Sequence, residues 1–340
     1  MKPRALPPAA NWIRKLSAYR EPELDRSLFE LAVTVVPFLG LWALALWAGS
    51  VHLLLSIPIA VVAGTFLVRL FLIQHDCSHG AFFKSRAANN WTGRVIGAFT
   101  LTPYDLWQKS HLIHHASHGN LAKRGIGDVF TLTVDEYNAK SPLGRLGYRL
   151  YRNPFVLFIL GPIYVFLLHH RLPIGFMKAG PRYWISTMLT NVALLGIIVG
   201  GSLAFGWALF LPVYFVITVT AAAIGVWLFY VQHQFEDTIW DHEADWQLHE
   251  AALYGSSYLK LPAMFQWMTA NIGIHHVHHL YSRIPFYKLH KVIRDHRELA
   301  EIRRMNFVDS LKTVRLKLWC DRERRLVPFK VARARRVTAA

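Results

Sequence analysis

Two long stretches of this 340-residue chain contain no Asp, Glu, Lys or Arg. One lies between Glu30 and Arg69, the other between Arg182 and Glu236. Each is about twice the ~20 residues one helix needs to cross the hydrocarbon core of a bilayer. Each therefore reads as a hairpin of two spanning helices. The expected spans are residues 29–48, 53–73, 184–200 and 207–231, with turns near Gly49-Ser50-Val51 and Gly200-Gly201-Ser202. The fold class expected is an all-α integral membrane protein: four transmembrane helices in two hairpins, with a helical cap on the cytosolic side. No cleavable signal peptide is visible in the basic lead-in with Pro3, Pro7 and Pro8, so the first hairpin is expected to act as its own insertion signal.

A formal charge of +17 suggests a nucleic-acid binder until its distribution is considered. Lys and Arg fall in residues 2–26, 69–182 and 260–336, and the two hairpin turns have none. The positive-inside rule then places both termini and the central segment in the cytosol. The basic surface would meet anionic headgroups and an acidic electron donor. No nucleic-acid module accompanies the charge, so no nucleic-acid partner is expected. Cys77 and Cys320 are the only cysteines. Two cysteines build no disulfide framework, and each reads as a small buried thiol.

The organisation expected is a cytosolic basic segment over residues 1–28, a membrane domain with its cap over 29–310, and a basic cytosolic tail over 311–340. Two apolar runs in the central segment, Trp91–Trp107 and Pro154–Leu168, are short for spans and suit interfacial or re-entrant helices. Gly161-Pro162 is expected to break the second. Arg333–Val337 reads as a disordered, headgroup-attracted end.

Eleven of the eighteen histidines fall in four places. They are His75 with His79; His111, His114 and His115 with His118; His233 alone; and His275, His276, His278 and His279. Residues at i and i+3 or i+4 share a helix face, so each cluster can point at one site. Neutral imidazole suits Fe, Zn, Cu or Ni. Nine nitrogens, from His75, His79, His111, His114, His115, His233, His275, His278 and His279, are too many for one tetrahedral ion. They suit two metals that keep a position open for a reactant. His276 points off the shared face, and His118 reads as a neighbour of the ligands or a substrate contact. His52, His169, His170, His242, His249, His290 and His296 read as surface or interfacial residues.

Metal-bound imidazoles usually donate their second ring N–H to a carboxylate or carbonyl. Asp76, Asp105, Asp128, Glu236 and Asp237 are candidates, and Asp76 and Glu236 stand out by closeness to ligands. Asn271, one turn before His275, could act likewise. Trp107 and Tyr104 could line a substrate path. Topology constrains all of this. The four places can meet only if Pro154–Leu168 does not cross the membrane.

These motifs resemble those of the membrane-bound fatty acid desaturase family, with HxxxH, HxxHH and HxxHH separated by hydrophobic hairpins. The resemblance covers roughly residues 30–300. The phrases HDCSHG, HLIHHASHGN, YVQHQFED and NIGIHHVHHL are most similar to bacterial acyl-lipid desaturases of the omega-6 (delta-12) kind. The resemblance implies a nonhaem diiron centre on the eight motif histidines, with His233 as an extra ligand. It implies an oxidoreductase that uses dioxygen and two electrons to place a cis double bond in a membrane lipid's acyl chain. It further implies a separate ferredoxin-like donor and a place in the bacterial inner membrane, with the active site facing the cytosol. The closest rival is a hydroxylase, ketolase or related oxygenase on the same scaffold. A zinc hydrolase lacks its HExxH signature here. A metal transporter would need ionisable residues within the spans.

Overall fold

The computed structural model describes residues 8–338, with side chains through Ala334. Pro3 and Pro7 of the lead-in lie outside these residues. A short helix, α1 (Ala10–Leu16), precedes α2 (Leu24–Val51) and α3 (Leu53–Ser78). A single residue, His52, separates α2 from α3, and its ring accepts the Leu54 amide at 3.2 Å to cap α3. Then come α4 (Arg86–Phe99), α5 (Tyr104–Ser117), α6 (Val134–Ala139), α7 (Pro142–Tyr151) and α8 (Gly161–Leu167). The second hairpin is α9 (Pro181–Phe205) with α10 (Trp207–His233). Helices α2, α3, α9 and α10 are long and apolar enough to cross a membrane. In hydrocarbon every backbone N–H and C=O must be paired within its own segment, which is why uncharged chain of this length is helical.

The helices outrun the expected spans at both ends, into the cap on one side and up to the tight reversals at His52 and Gly206 on the other. The second turn also lies elsewhere. The chain reverses at Gly206, with φ +81°, and not at Gly200–Ser202. Gly201 serves packing instead: a Cβ there would sit 2.2 Å from the Phe210 ring. Close approach also joins the two hairpins. At Gly64 a Cβ would sit 2.8 Å from Thr220 and 2.9 Å from the Ile217 carbonyl, so α3 and α10 touch backbone to backbone.

Glu30 and Arg69, which bracket the first uncharged stretch, meet as an ion pair with about 1% of each side chain exposed. Arg26 joins the Glu30 carboxylate at 2.6 Å. Arg69 also donates to Thr34 Oγ1 at 3.1 Å and to the Trp267 carbonyl, and it stacks 4.1 Å from the Trp267 ring.

The Pro154–Leu168 run is a π turn at Val156–Leu160 leading into α8, so helical winding continues through Gly161-Pro162. The segment Val156–Arg171 bends by 61° from α7. It cannot be a single crossing. The C-terminal ends of α3 and α10 come together, and α9 and α10 form one hairpin, so the chain from Ser78 to Pro181 begins and ends on one side. The segment therefore makes no net crossing. His170 at its tip is buried and its neighbour Arg171 donates to Asn191 of α9 at 2.8 Å, which replaces the surface reading of His170. Trp91 on α4 and Leu143, Leu146 and Leu150 on α7 stay exposed, as befits helices lying at the interface.

The cap is completed by α11 (Leu248–Tyr254), α12 (Ala263–Met268), α13 (His275–Leu280), α14 (Phe286–Asp295), α15 (Phe307–Lys312) and α16 (Phe329–Thr338). Two small sheets join them. β1 (Tyr258–Leu259) pairs in parallel with β2 (Arg304–Met305), and β3 (Leu318–Cys320) pairs antiparallel with β4 (Arg325–Val327). The tail is thus a folded module. Leu318, Cys320 and Val327 share a core with Leu132 and Tyr148. Arg333–Val337, expected as a disordered end, continues α16.

Candidate metal centre

The four histidine places converge at the cap ends of α3 and α10. His75 and His79 terminate α3, and His233 terminates α10. His111, His114 and His115 form the last turns of α5. His275, His278 and His279 form α13, which a sharp turn through Ala270 (φ +48°) and Asn271 (φ +54°) aims inward. Asparagine is among the residues that tolerate this left-handed region.

The rings sort into two groups. In the first, His75, His79, His111, His115 and His278 offer nitrogens all within 4.8 Å of one another. The Nε2 of His111 is 3.0 Å from that of His79 and 3.1 Å from that of His115, and His115 is 3.2 Å from His278. In the second, His233 converges within the same limit with His275 and His279 on one side and with His114 and His118 on the other. His233 Nε2 lies 3.0 Å from His275 Nε2 and 3.2 Å from His114 Nε2. Each HxxHH motif is therefore shared, not aimed at one point. On α5 the i and i+4 rings join the first group and the i+3 ring joins the second. On α13 the arrangement is reversed.

Helical geometry explains the sharing. Positions i and i+4 differ by about 40° around the axis, whereas i+3 lies about 60° the other way. A single turn can thus face two points.

Burial holds His79, His111, His115, His278 and His279 well below the usual imidazole range, so they are neutral. Neutral imidazole is the form that binds metal. Their packing fits a shared cation better than mutual hydrogen bonds. His115 Nε2 faces two other Nε2 atoms, and one neutral ring cannot satisfy both. His279 is buried with no hydrogen-bond partner at either ring nitrogen among the described residues. A first-row divalent ion ~2.1 Å from each imidazole spaces neighbouring nitrogens ~3 Å apart, which matches these separations.

The surrounding residues divide into those that serve the rings and those that do not. Asp128 Oδ1 is 2.5 Å from His114 Nδ1. Burial pushes the Asp128 carboxyl up, but the adjacent His114 and hydrogen bonds from His114 and His118 carry it below the ordinary range. Asp76 Oδ1 is 3.5 Å from His75 Nδ1. The His118 ring lies 4.1 Å from that of His233 at a 50° tilt, and its Nε2 contacts the Gly255 carbonyl at 2.9 Å, so it backs the second group. Trp107 stacks on His111 with ring centroids 4.5 Å apart.

Glu236 does not serve a ring; its carboxylate is exposed and pairs with Arg325. It follows the end of α10, where the chain turns outward. Asn271 donates to the Phe286 carbonyl at 3.3 Å and contacts no motif ring. Tyr104 lines no open path, because its fully buried phenol donates to the Cys77 carbonyl at 2.9 Å. Asp105 pairs with Arg94 and Arg182, and Asp237 with Arg303. His276 turns away to the Leu299 carbonyl, and Cys77 is buried.

Four membrane-length helices, two of which end in a shared cluster of buried histidines, define a membrane protein with a histidine-rich metal site. The family model for fatty acid desaturases matches residues 52–309. The chain belongs to the fatty acid desaturase family and is an oxidoreductase. It is 45% identical to a fatty acid desaturase of Bacillus subtilis over 93% of this chain and 90% of that one. It is 32% identical to an sn-1 acyl-lipid omega-3 desaturase (ferredoxin) of Synechocystis sp., over 80% of this chain and 75% of that one. An sn-1 oleoyl-lipid 12-desaturase of the same organism is 26% identical over 66% and 64% of the two chains. The hydroxylase or ketolase alternative draws no support from these relatives.

Proposed function

We propose that the chain is a diiron acyl-lipid desaturase that introduces a cis double bond into a membrane lipid's acyl chain at the delta-12 position, taking electrons from a ferredoxin-like carrier. The observation that carries this reading is the interleaving of two histidine groups on one side of the membrane. His75, His79, His111, His115 and His278 would hold one iron, and His114, His233, His275 and His279 the other. Iron held there supplies the activation of dioxygen needed to attack an unactivated C–H bond, chemistry that side chains alone cannot perform.

The protein's part is holding and excluding. Asp128 fixes the tautomer and tilt of His114, and Asp76 stands 3.5 Å from His75 Nδ1 without a hydrogen bond to it. Trp107 locks the plane of His111 from the apolar side. Phe229, 5.2 Å from both His114 and His233, presents a second apolar wall. An acyl chain entering from the bilayer meets these walls before any water does. Two vicinal hydrogens leave the chain, and dioxygen with two electrons and two protons leaves as water.

The charge distribution supports a cytosolic cap and a place in a bacterial inner membrane. A second reading, omega-3 selectivity, is favoured by the Synechocystis omega-3 relative. Expression in a host that makes only saturated and monounsaturated lipids, followed by mass spectrometry that locates double bonds, tests the proposal. A new diene at delta-12 is the expected product. Desaturation only when dienes are supplied would favour omega-3, new monoenes would overturn both positions, and hydroxylated chains would overturn desaturation.

A further inference from the structure

The cap carries two segments of opposite charge, though Glu236, Asp237, Asp241 and Glu243 of the acidic one are paired with Arg325, Arg303, Arg324 and Lys123. Residues 236–250 hold six acids and no Lys or Arg. Residues 281–297 hold five cations, Arg283, Lys288, Lys291, Arg294 and Arg297, against one acid, Asp295. Most of the second segment is α14, an amphipathic helix. Phe286, Leu289, Val292 and Ile293 are buried, while His290, Lys291 and Arg294 face outward. Lys288 is occupied by Glu23 at 2.7 Å and Arg294 by Asp295 at 3.2 Å. Arg283, Lys291 and Arg297 make no ion pair among the described residues.

This face does not belong to the membrane. The lipid-side helices each expose large apolar residues: Trp91 on α4, Leu146 on α7, Phe265 on α12 and Phe307 on α15. Between Trp267 and Phe307 no large apolar side chain is exposed, so α14 shows only polar groups to water.

The same helix is bolted to the metal centre. Asp76 Oδ2 accepts the Phe286 amide, the first of α14, at 2.6 Å, while Asp76 Oδ1 faces His75 Nδ1 at 3.5 Å. Asn271 holds the Phe286 carbonyl from the other side. Lys291 lies five residues further on, ~7.5 Å along the helix axis. The other end is braced as well: Tyr19 beside α1 donates to Asp295 at 3.0 Å.

We propose that the outward face of α14 is the docking surface for a soluble, acidic one-electron carrier, and that electrons enter through the Phe286–Asp76–His75 contacts. The inference rests on the desaturase reading above and adds the place where its electrons arrive. Each encounter oxidises one reduced carrier by one electron, and two encounters serve each double bond. With two protons from water and the two hydrogens taken from the acyl chain, one dioxygen leaves as two waters, so the balance closes. Unpaired cations steer an acidic partner.

The test uses the metal-loaded protein in lipid nanodiscs and a reduced plant-type [2Fe–2S] ferredoxin as the probe. K291E/R294E is expected to weaken ferredoxin binding about tenfold at low salt, flatten its dependence on ionic strength, and slow ferredoxin oxidation in parallel. Metal content and thermal unfolding should be unchanged. R322E, a reversal on the exposed turn between β3 and β4, should bind as the parent does. Unchanged binding in K291E/R294E, or equal weakening in R322E, overturns the surface. So does an effect seen only in anionic-lipid nanodiscs, which would mark a headgroup contact. A parent that binds ferredoxin yet forms no double bond with any carrier would overturn the desaturase reading, not the surface. Normal affinity in K291E/R294E with full desaturation would overturn the surface alone.

Discussion

His114 and Asp128 share one short contact, with Nδ1 2.5 Å from Oδ1. Both side chains are almost fully buried, and His118 Nδ1 stands 3.9 Å from the same carboxylate oxygen. Removing the negative charge leaves His114 free to rotate or change tautomer. Asp128→Asn is expected to weaken metal binding at the second group by about 10–100-fold, as loss of such partners typically does. Metal analysis after a timed chelator challenge should show that group emptying first; equal loss from both groups would refute the pairing.

The division into two groups makes neighbouring residues non-equivalent. His278→Ala should deplete the group containing His75, and His279→Ala the group containing His233. Each variant should keep about half the parent's iron, because the remaining ligands of the other group are untouched. Mass spectrometry of metals with iron spectroscopy would distinguish the two half-loaded forms. Identical spectra would mean that the groups are not separate sites.

Acid should destabilise the metal-free protein. An unfolded histidine gains its proton near pH 6.5. His111, His115, His278 and His279 gain theirs only well below that, because burial disfavours the charged ring. Between those limits the unfolded chain binds more protons, so stability rises with pH and is lost on acidification. Going from pH 7 to pH 5 should therefore lower stability progressively. Thermal unfolding of the stripped protein across this range checks it, and a flat profile would contradict the buried neutral rings.

The Glu30–Arg69 pair sits among helices, so its partners cannot be removed singly without consequence. Arg69→Met leaves a buried carboxylate shared only with Arg26, and about 3–5 kcal/mol of destabilisation is expected. Combining it with Glu30→Gln should recover a large part. Unfolding in detergent provides the measurement, and additive losses would show that the two residues do not act as a pair.

At the α3–α10 crossing, Gly64→Val forces a side chain into 2.8 Å of Thr220. Overpacking of this kind costs about 1–3 kcal/mol. Here it also splays the helices that carry His75 and His233. Iron retention should fall together with stability; a stable variant with normal iron would separate the crossing from the site.

The spans were readable because a charge in hydrocarbon is so costly that its absence over Leu31–Val68 carries information. The turn at Gly206 was not, since glycine serves reversal and close packing alike, and Gly201 against Phe210 is the second kind. Motif spacing exposed eight histidines, and position after a spanning helix exposed His233. The sharing of each HxxHH motif was latent in helical angles. Asp128 was different: fourteen residues separate it from His114. Only the fold of the intervening loop brings them together, and closeness in sequence pointed instead to Glu236, which the chain turns outward. Asn271 was misread for a related reason, because its backbone makes the turn and its side chain holds Phe286.

The single-residue joint at His52 and the reversal at Gly206 leave almost nothing of the described residues on the far side of the bilayer. A protease, antibody or impermeant label applied there would find two tight bends and little else. Under the proposed function, everything that reaches the chemistry would arrive from the cap or sideways through the lipid, giving one address for a carrier and another, in the plane of the membrane, for acyl chains.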